Sequence, residues 1–439
     1  MSKLPKGALA WALYDWANTG YAMIGLALIF PRLYKTYWGS GLSDSDQTFW
    51  FTLTVGVASF CVFVLAPILG SIAELGGIRK KLLLRFATVG MVACAAMYLV
   101  DEGDYLSATL VYIVGTVCFY SANIFFDSML ERVSTAQNRH TISGLGFSFG
   151  YAAGFLLLLI TFLATTYYEP LGFGSKLDAS RFLFVLAAAW WAIFTLPLVL
   201  RFHEEPRHNP HSLARTARLG LVEAWVTLKA IIRQRNILWF LIAYQFYIDG
   251  VNTIITTASN YGSTIGFTEQ QIITAFFCVQ VAGVPCAVLF GLLGQKIGPR
   301  KMIFVAILVY LVVSFYGAFM DTAPTVIFGM EVSEIYILAT LIGLCQGGIQ
   351  ALSRSYFTSI VPPEKTVAYF GFYSMIGKSA AILGPALMGL SALLFNNPEH
   401  PVLSTRIGMG MISVLFFFGA GFLAVAGRRK YAPPAAPQA

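Results

Sequence analysis

Apolar residues run along this chain in long unbroken stretches, each close to the roughly 20 residues that an α-helix needs to cross a bilayer. Twelve stretches are predicted, at about 8–31, 49–72, 82–100, 106–130, 141–166 and 181–202, then at about 236–260, 270–294, 301–320, 333–358, 366–395 and 404–426. A transmembrane barrel would show shorter segments of alternating polarity. The expected fold class is therefore an all-α membrane protein of twelve transmembrane helices. The first stretch follows a basic stub (Lys3, Lys6), is too long for a signal-peptide core and has no small-residue cleavage site before Asp15, so it reads as a span that stays. The polar stretch in the middle suggests four regions: an N-terminal six-helix bundle (1–202), a linker (203–235), a C-terminal six-helix bundle (236–430) and a disordered Pro/Ala-rich tail (431–439).

Composition supports this reading. Hydrophobic residues make up 57% and charged ones 11% of the chain, where soluble domains carry about 25% charged residues. Lys and Arg suggest the orientation. With both termini cytoplasmic, the inner segments carry 23 of them and the outer segments five (Arg32, Lys35, Lys176, Arg181, Arg406), with Lys378 left inside a span. The expected location is the cell (inner) membrane. This placement accounts for the net charge of +8 without a nucleic-acid partner. Six cysteines (Cys61, Cys94, Cys118, Cys278, Cys286, Cys345) fall in apolar runs with no C-x-x-C pair and read as small buried hydrophobes. In the linker, residues 213–232 fit either a basic amphipathic helix on the inner surface or a plain solvated connector. His203, His208 and His211 lack neighbouring Cys or spaced acids and read as solvated loop residues rather than a metal cluster. No metal or cofactor is expected.

Two patterns occur twice. Asp15, Asn18 and Thr19 share one helical face inside the first stretch, and Asp249, Asn252 and Thr253 repeat that spacing inside the seventh. Gly70-Ser-Ile-Ala-Glu74-Leu-Gly-Gly-Ile-Arg79-Lys80 after the second stretch aligns without a gap with Gly291-Leu-Leu-Gly-Gln-Lys-Ile-Gly-Pro-Arg300-Lys301 after the eighth, pairing Gly77 with Gly298. Arg132 and Arg354 end the fourth and tenth stretches at nearly the same offset. Parallel repeats of this kind are a transporter layout, with the substrate site at the repeat interface.

The G-x-x-A-[acid]-x-x-G-x-R-[RK] loop, repeated half a chain later, resembles the signature loop of the major facilitator superfamily. The loop departs from the usual pattern at Leu75 and Ile78, where basic residues are common. Tyr14-Asp15-Trp16-Ala17-Asn18 together with Asp249-Gly250-Val251-Asn252-Thr253 resembles more narrowly the "unknown major facilitator" family, related to the vacuolar amino-acid effluxers of autophagy. The resemblance implies two pseudo-symmetric six-helix bundles whose first, fourth, seventh and tenth spans line a central cavity.

Asp15 and Asp249 would then project from equivalent helices. A carboxylate there is costly. Either it serves as a proton or substrate-amine site, or it ties helices together as an acceptor satisfied by Asn18, Asn252 or Tyr and Trp donors. Asp249, deeper in its span, is the stronger candidate for the proton. Lys378, about twelve residues into the eleventh stretch, is the only basic residue placed so deeply, and a buried ammonium calls for a membrane carboxylate or an anionic ligand. Asn18, Asn252, Gln280, Gln346 and Gln350 complete the binding candidates; Asn123, Gln245 and Ser353 are further polar positions, and interhelical glue is the equal alternative for the glutamines and these three. Gly377-Lys378-Ser379 is not a P-loop, because Phe372 stands where its first glycine belongs. The gating candidates are Gly70, Glu74, Gly77 and Arg79, their counterparts Gly291, Gly298 and Arg300, and the charged helix ends Asp127, Glu131, Arg132 and Arg354. Opposite charges gathered there suit a latch on the inward gate, whereas exposed pairs would be worth only about 0–1 kcal/mol.

No nucleophile–base pair or ATP-binding motif is apparent, and no His lies inside a predicted span, which disfavours an enzyme. The expected function is a secondary transporter of a small solute, an amino acid or other zwitterion, working by alternating access as a monomer, with protons as a candidate coupling ion. A non-transporting receptor of the same fold is the alternative.

Overall fold

The computed structural model describes residues 5, 7–204, 213–327, 329–380, 382–395 and 402–426. His208, His211, the tail and the basic residues Lys3, Lys6, Arg428, Arg429 and Lys430 lie outside them. Among the described residues, eleven helices are long and apolar enough to cross a membrane. They form the second to twelfth spans: Asp44–Gly76, Arg79–Leu99, Tyr105–Val133, Arg139–Thr166 and Lys176–Arg201, then Arg235–Ile265, Glu269–Ile297, Pro299–Phe319, Glu334–Ile360, Pro363–Leu394 and Leu403–Ala426. The first span is an α-helix only over Ala8–Gly20. It continues as π-helix through Tyr21–Leu28, a short turn at Phe30–Leu33 and further π-helix at Tyr34–Trp38.

Several helices overrun their apolar stretch because polar residues cap them. Ser43 accepts the Asp46 amide at the start of the second span, and Thr268 and Gln271 cap each other at the start of the eighth. The eleventh span departs from the sequence reading of one continuous helix. It consists of Thr366–Ser379 and Leu383–Leu394, separated by a break. Gly384 and Pro385 open the second piece, and proline is tolerated there because first-turn amides have no intrahelical partner. A small hairpin, β1 (Thr325–Ile327) paired antiparallel with β2 (Met330–Val332), joins the ninth and tenth spans.

The linker contains a helix, Leu213–Arg233, packed against the second span. The two halves of the chain meet mainly where the second span packs on the first piece of the eleventh and the fifth packs on the eighth. Both contacts need glycine. A Cβ on Gly70 would lie 2.6 Å from the Val367 carbonyl, and one on Gly144 would lie 2.5 Å from the Ala287 carbonyl. Gly371 and Gly291 face them from the other half. Nearby, Glu74 accepts the Val367 amide at 2.8 Å, and its aligned counterpart Gln295 accepts the His140 amide at 3.3 Å. One loop motif thus caps the opposite bundle twice, from both sides of the pseudo-twofold axis.

Candidate functional site

The polar centre between the halves is built on Arg354, which enters from the tenth span. Its guanidinium reaches Asp15 of the first span at 3.2 Å and Asp127 of the fourth at 3.0 Å. The Ser143 hydroxyl and carbonyl take two further N–H bonds at 3.0 and 3.1 Å. The rings of Trp11 and Phe147 lie 4.6 and 4.5 Å from the guanidinium carbon. Arg354 is 3% exposed. The sequence view of Lys378 as the only deeply placed basic residue therefore needs correcting: Arg354 is buried as well, and it has the carboxylates. A planar fork of donors suits two acids at once. Two carboxylates around one guanidinium leave a formal charge of −1, so one acid can hold a proton without stranding the arginine.

Asp249 does not join this centre. It is fully buried and accepts the backbone amides of Leu383 and Gly384 at 3.0 and 2.8 Å and the Thr253 hydroxyl at 3.3 Å. Asn252, one turn further, donates to the Ala380 carbonyl at 2.8 Å. Asp249 thus caps the second piece of the eleventh span while Asn252 caps the first. Gln245 on the same face accepts the Ser379 hydroxyl at 2.6 Å. The repeated Asp–Asn spacing therefore serves two different ends. In the first half Asp15 meets Arg354, and Asn18 donates to Asn123 at 2.9 Å; in the second half the same pair staples a helix break. The expected equivalence of Asp15 and Asp249 gives way because Asp249 faces the free first-turn amides of Leu383 and Gly384, while Asp15 faces the Arg354 guanidinium.

Lys378 lies one residue before the end of the first piece. Its ammonium sits 3.0 Å from the ring centroid of Tyr120 on the fourth span. No carboxylate lies within 4.0 Å of it among the described residues. The membrane-carboxylate partner expected of it is replaced by an aromatic face across the half interface. Gln346 and Gln350 are half-buried. Gln280 lies over Gly154, which has no side chain to obstruct it, and its amide is 3.9 Å from the Met23 sulfur.

The gating candidates divide. Glu74 and Arg79 approach to 4.0 Å, and Arg79 also pairs with Glu204 at 3.3 Å. Gly77 is left-handed (φ 57°) and Gly298 has φ 107°, so the aligned loops turn on glycines that other residues would strain. Arg300 donates to the Leu423 and Ala424 carbonyls at the end of the twelfth span rather than to an acid. Glu131 and Arg132 make no ion pair within 4.0 Å among the described residues. Sequence reading missed Tyr120, Ser143 and His140, whose Nδ1 lies 2.8 Å from the Ser355 hydroxyl. It also missed the Gly144–Gly371 correspondence, though the two stand at a near-constant offset from Gly70 and Gly291.

The sequence profile described as "Vacuole effluxer Atg22 like" matches residues 5–133 and 131–425. The chain belongs to this Atg22-like family. It is 33% identical over 432 residues to the uncharacterized MFS-type transporter YxiO of Bacillus subtilis, covering 97% of this chain and 95% of that one. It is 25% identical over 372 residues to autophagy-related protein 22 of Kluyveromyces lactis, covering 79% and 74%. Among solved structures it resembles the proton:xylose symporter XylE (TM-score 0.69, 12% identity, 95% and 94% covered) and the human organic anion transporter MFSD10 (TM-score 0.66, 14% identity, 95% and 98% covered). At such identities the structural likeness speaks for the fold, which is that of the major facilitator superfamily. This Atg22-like protein is a multi-pass membrane transporter and not an enzyme.

Proposed function

We propose that this Atg22-like chain is a secondary active transporter that moves a small zwitterionic solute, foremost an amino acid, by alternating access coupled to protons. It does so as a monomer in the cell (inner) membrane with both termini cytoplasmic. The observation that carries the reading is Arg354, held between Asp15 and Asp127 of the other half at 3.2 and 3.0 Å. An ion pair that spans the interface must break when the halves rock apart, which is the behaviour of a latch. The glycine contacts and the Glu74 and Gln295 caps lie on the side of the linker helix, consistent with a state closed on that side. The surplus carboxylate of the Asp15–Asp127–Arg354 cluster is the proton carrier in this scheme, a role that moves here from Asp249. Lys378, with no acidic partner among the described residues, offers its ammonium to the solute carboxylate. The amino-acid assignment rests on that ammonium and on the resemblance to vacuolar amino-acid effluxers.

Counterflow in proteoliposomes tests the reading. Vesicles loaded with unlabelled amino acids should accumulate labelled amino acid transiently, and Lys378→Met should abolish the overshoot. An imposed pH gradient should drive net uptake that Asp127→Asn removes while exchange persists. Ligand-induced thermal stabilisation without any counterflow would overturn transport in favour of a receptor.

A further inference from the structure

The linker helix Leu213–Arg233 has two faces, and only one is accounted for by the bundle. Thr216, Gly220, Ala224, Thr227 and Ile231 follow helical spacing and are buried. Gly220 meets the Ile72 side chain of the second span with no room for a Cβ. Glu223 pairs with Lys365, just before the eleventh span, at 2.6 Å. The helix is thus pinned to both halves. The outward face carries Leu221, Val222, Trp225 and Ile232, which are 54, 58, 59 and 55% exposed. Arg218, Lys229 and Arg233 are exposed on the same face. Lys229 extends its ammonium over the Trp225 ring, 5.3 Å from the centroid. The helix is not among those long and apolar enough to span a membrane. Its one acid, Glu223, is neutralised by Lys365, so the outward face is purely cationic and apolar.

An apolar stripe beside a basic stripe, with tryptophan between them, is the arrangement that seats a helix at the boundary between acyl chains and headgroups. We propose that this face is a binding site for anionic phospholipid: Leu221, Trp225 and Ile232 enter the acyl boundary while Arg218, Lys229 and Arg233 hold the phosphate headgroups. The occupant follows from charge. Three cations on a helix face whose own sequence brings no acid select an anionic headgroup over a zwitterionic one, and each basic residue near such a surface strengthens binding about fivefold. Because the same helix is tied to the second span and to the lead of the eleventh, a bound lipid would hold the two halves together on this side.

The test uses the full-length chain, delipidated in neutral detergent and offered equal phosphatidylglycerol and phosphatidylcholine of matched acyl chains, with retained lipid counted by native mass spectrometry. The parent should prefer phosphatidylglycerol, and R218Q/K229Q/R233Q should lose that preference at least tenfold without losing thermal stability. A second readout needs no charge variant. In nanodiscs, the fluorescence attributable to Trp225, taken as the difference from Trp225→Phe, should be quenched more strongly by brominated phosphatidylglycerol than by brominated phosphatidylcholine. An unchanged preference in the triple variant, equal quenching by the two lipids, or no quenching by either overturns the proposal.

Discussion

Asp249 gives the sharpest test, because it separates a structural staple from a proton site. Its carboxylate is fully buried and takes two backbone amides at 3.0 and 2.8 Å. Hydrogen bonds to a charged acceptor contribute about 1.5–3 kcal/mol each, and a buried amide left unpaired costs about 1–3 kcal/mol. Asp249→Asn keeps one acceptor oxygen but turns an NH2 donor toward an N–H donor, so about 2–3 kcal/mol should be lost. Asp249→Ala frees both amides and should cost about 3–5 kcal/mol. Asn252→Ala, which strands the Ala380 carbonyl, should cost about 1–2 kcal/mol. Because both residues hold the same break, the double variant should show coupling rather than simple addition. Denaturant unfolding in detergent reads the stabilities, and hydrogen exchange reads Leu383 and Gly384, whose amides should exchange faster in Asp249→Asn. If that variant keeps parental stability and exchange yet uncouples solute uptake from a pH gradient, Asp249 is the proton site and the staple reading fails.

Arg354→Gln should destabilise the chain by about 3 kcal/mol, the lower end for breaking a buried pair, since it leaves the half-buried Asp15 and Asp127 without a cation, and adding Asp15→Asn should restore part of the loss; equal stability of the two variants would argue against the cluster. Lys378→Met should change stability by no more than about 2 kcal/mol, the scale of a desolvated cation–π contact. Neither Asp15→Asn nor Asp249→Asn should alter that result, whereas solute-induced thermal stabilisation should vanish. Gly144→Val and Gly371→Val place a side chain against backbone at the half interface, and overpacking of about 1–3 kcal/mol should slow exchange about tenfold while binding persists; parental exchange rates would show that these glycines do not set the closed state. Glu74→Gln should be milder than Glu74→Ala by at least about 1 kcal/mol, because Gln295 already caps the opposite helix with an amide oxygen, and equal losses in thermal stability would refute that equivalence.

The number of spans, the helical class and the duplication were legible from the chain itself, since each rests on local quantities. A continuous apolar run must become helix in lipid because its backbone groups have no other partners there. The duplicated loop and the Asp–Asn spacing likewise survive as text. The hairpin of β1 and β2 and the π-helical continuation of the first span were not legible, because three-residue strands and π-helical turns are too short to leave a periodic signal. The break in the eleventh span had a local cue in Gly384-Pro385, yet the run around it stays apolar enough to read as one helix.

Partner choice was decided only in three dimensions. Asp15 and Asp249 have the same local setting, and nothing near either one distinguishes a guanidinium 339 positions away from two amides 134 and 135 positions away. Lys378 is similar: its sequence demands an electron-rich partner, and whether that is a carboxylate or the Tyr120 ring depends on which side chain the fourth span turns toward it. A buried charge announces its cost in the sequence, because burial follows from the surrounding hydropathy. The group that offsets the cost comes from another helix, and its position is set by how the two bundles pack.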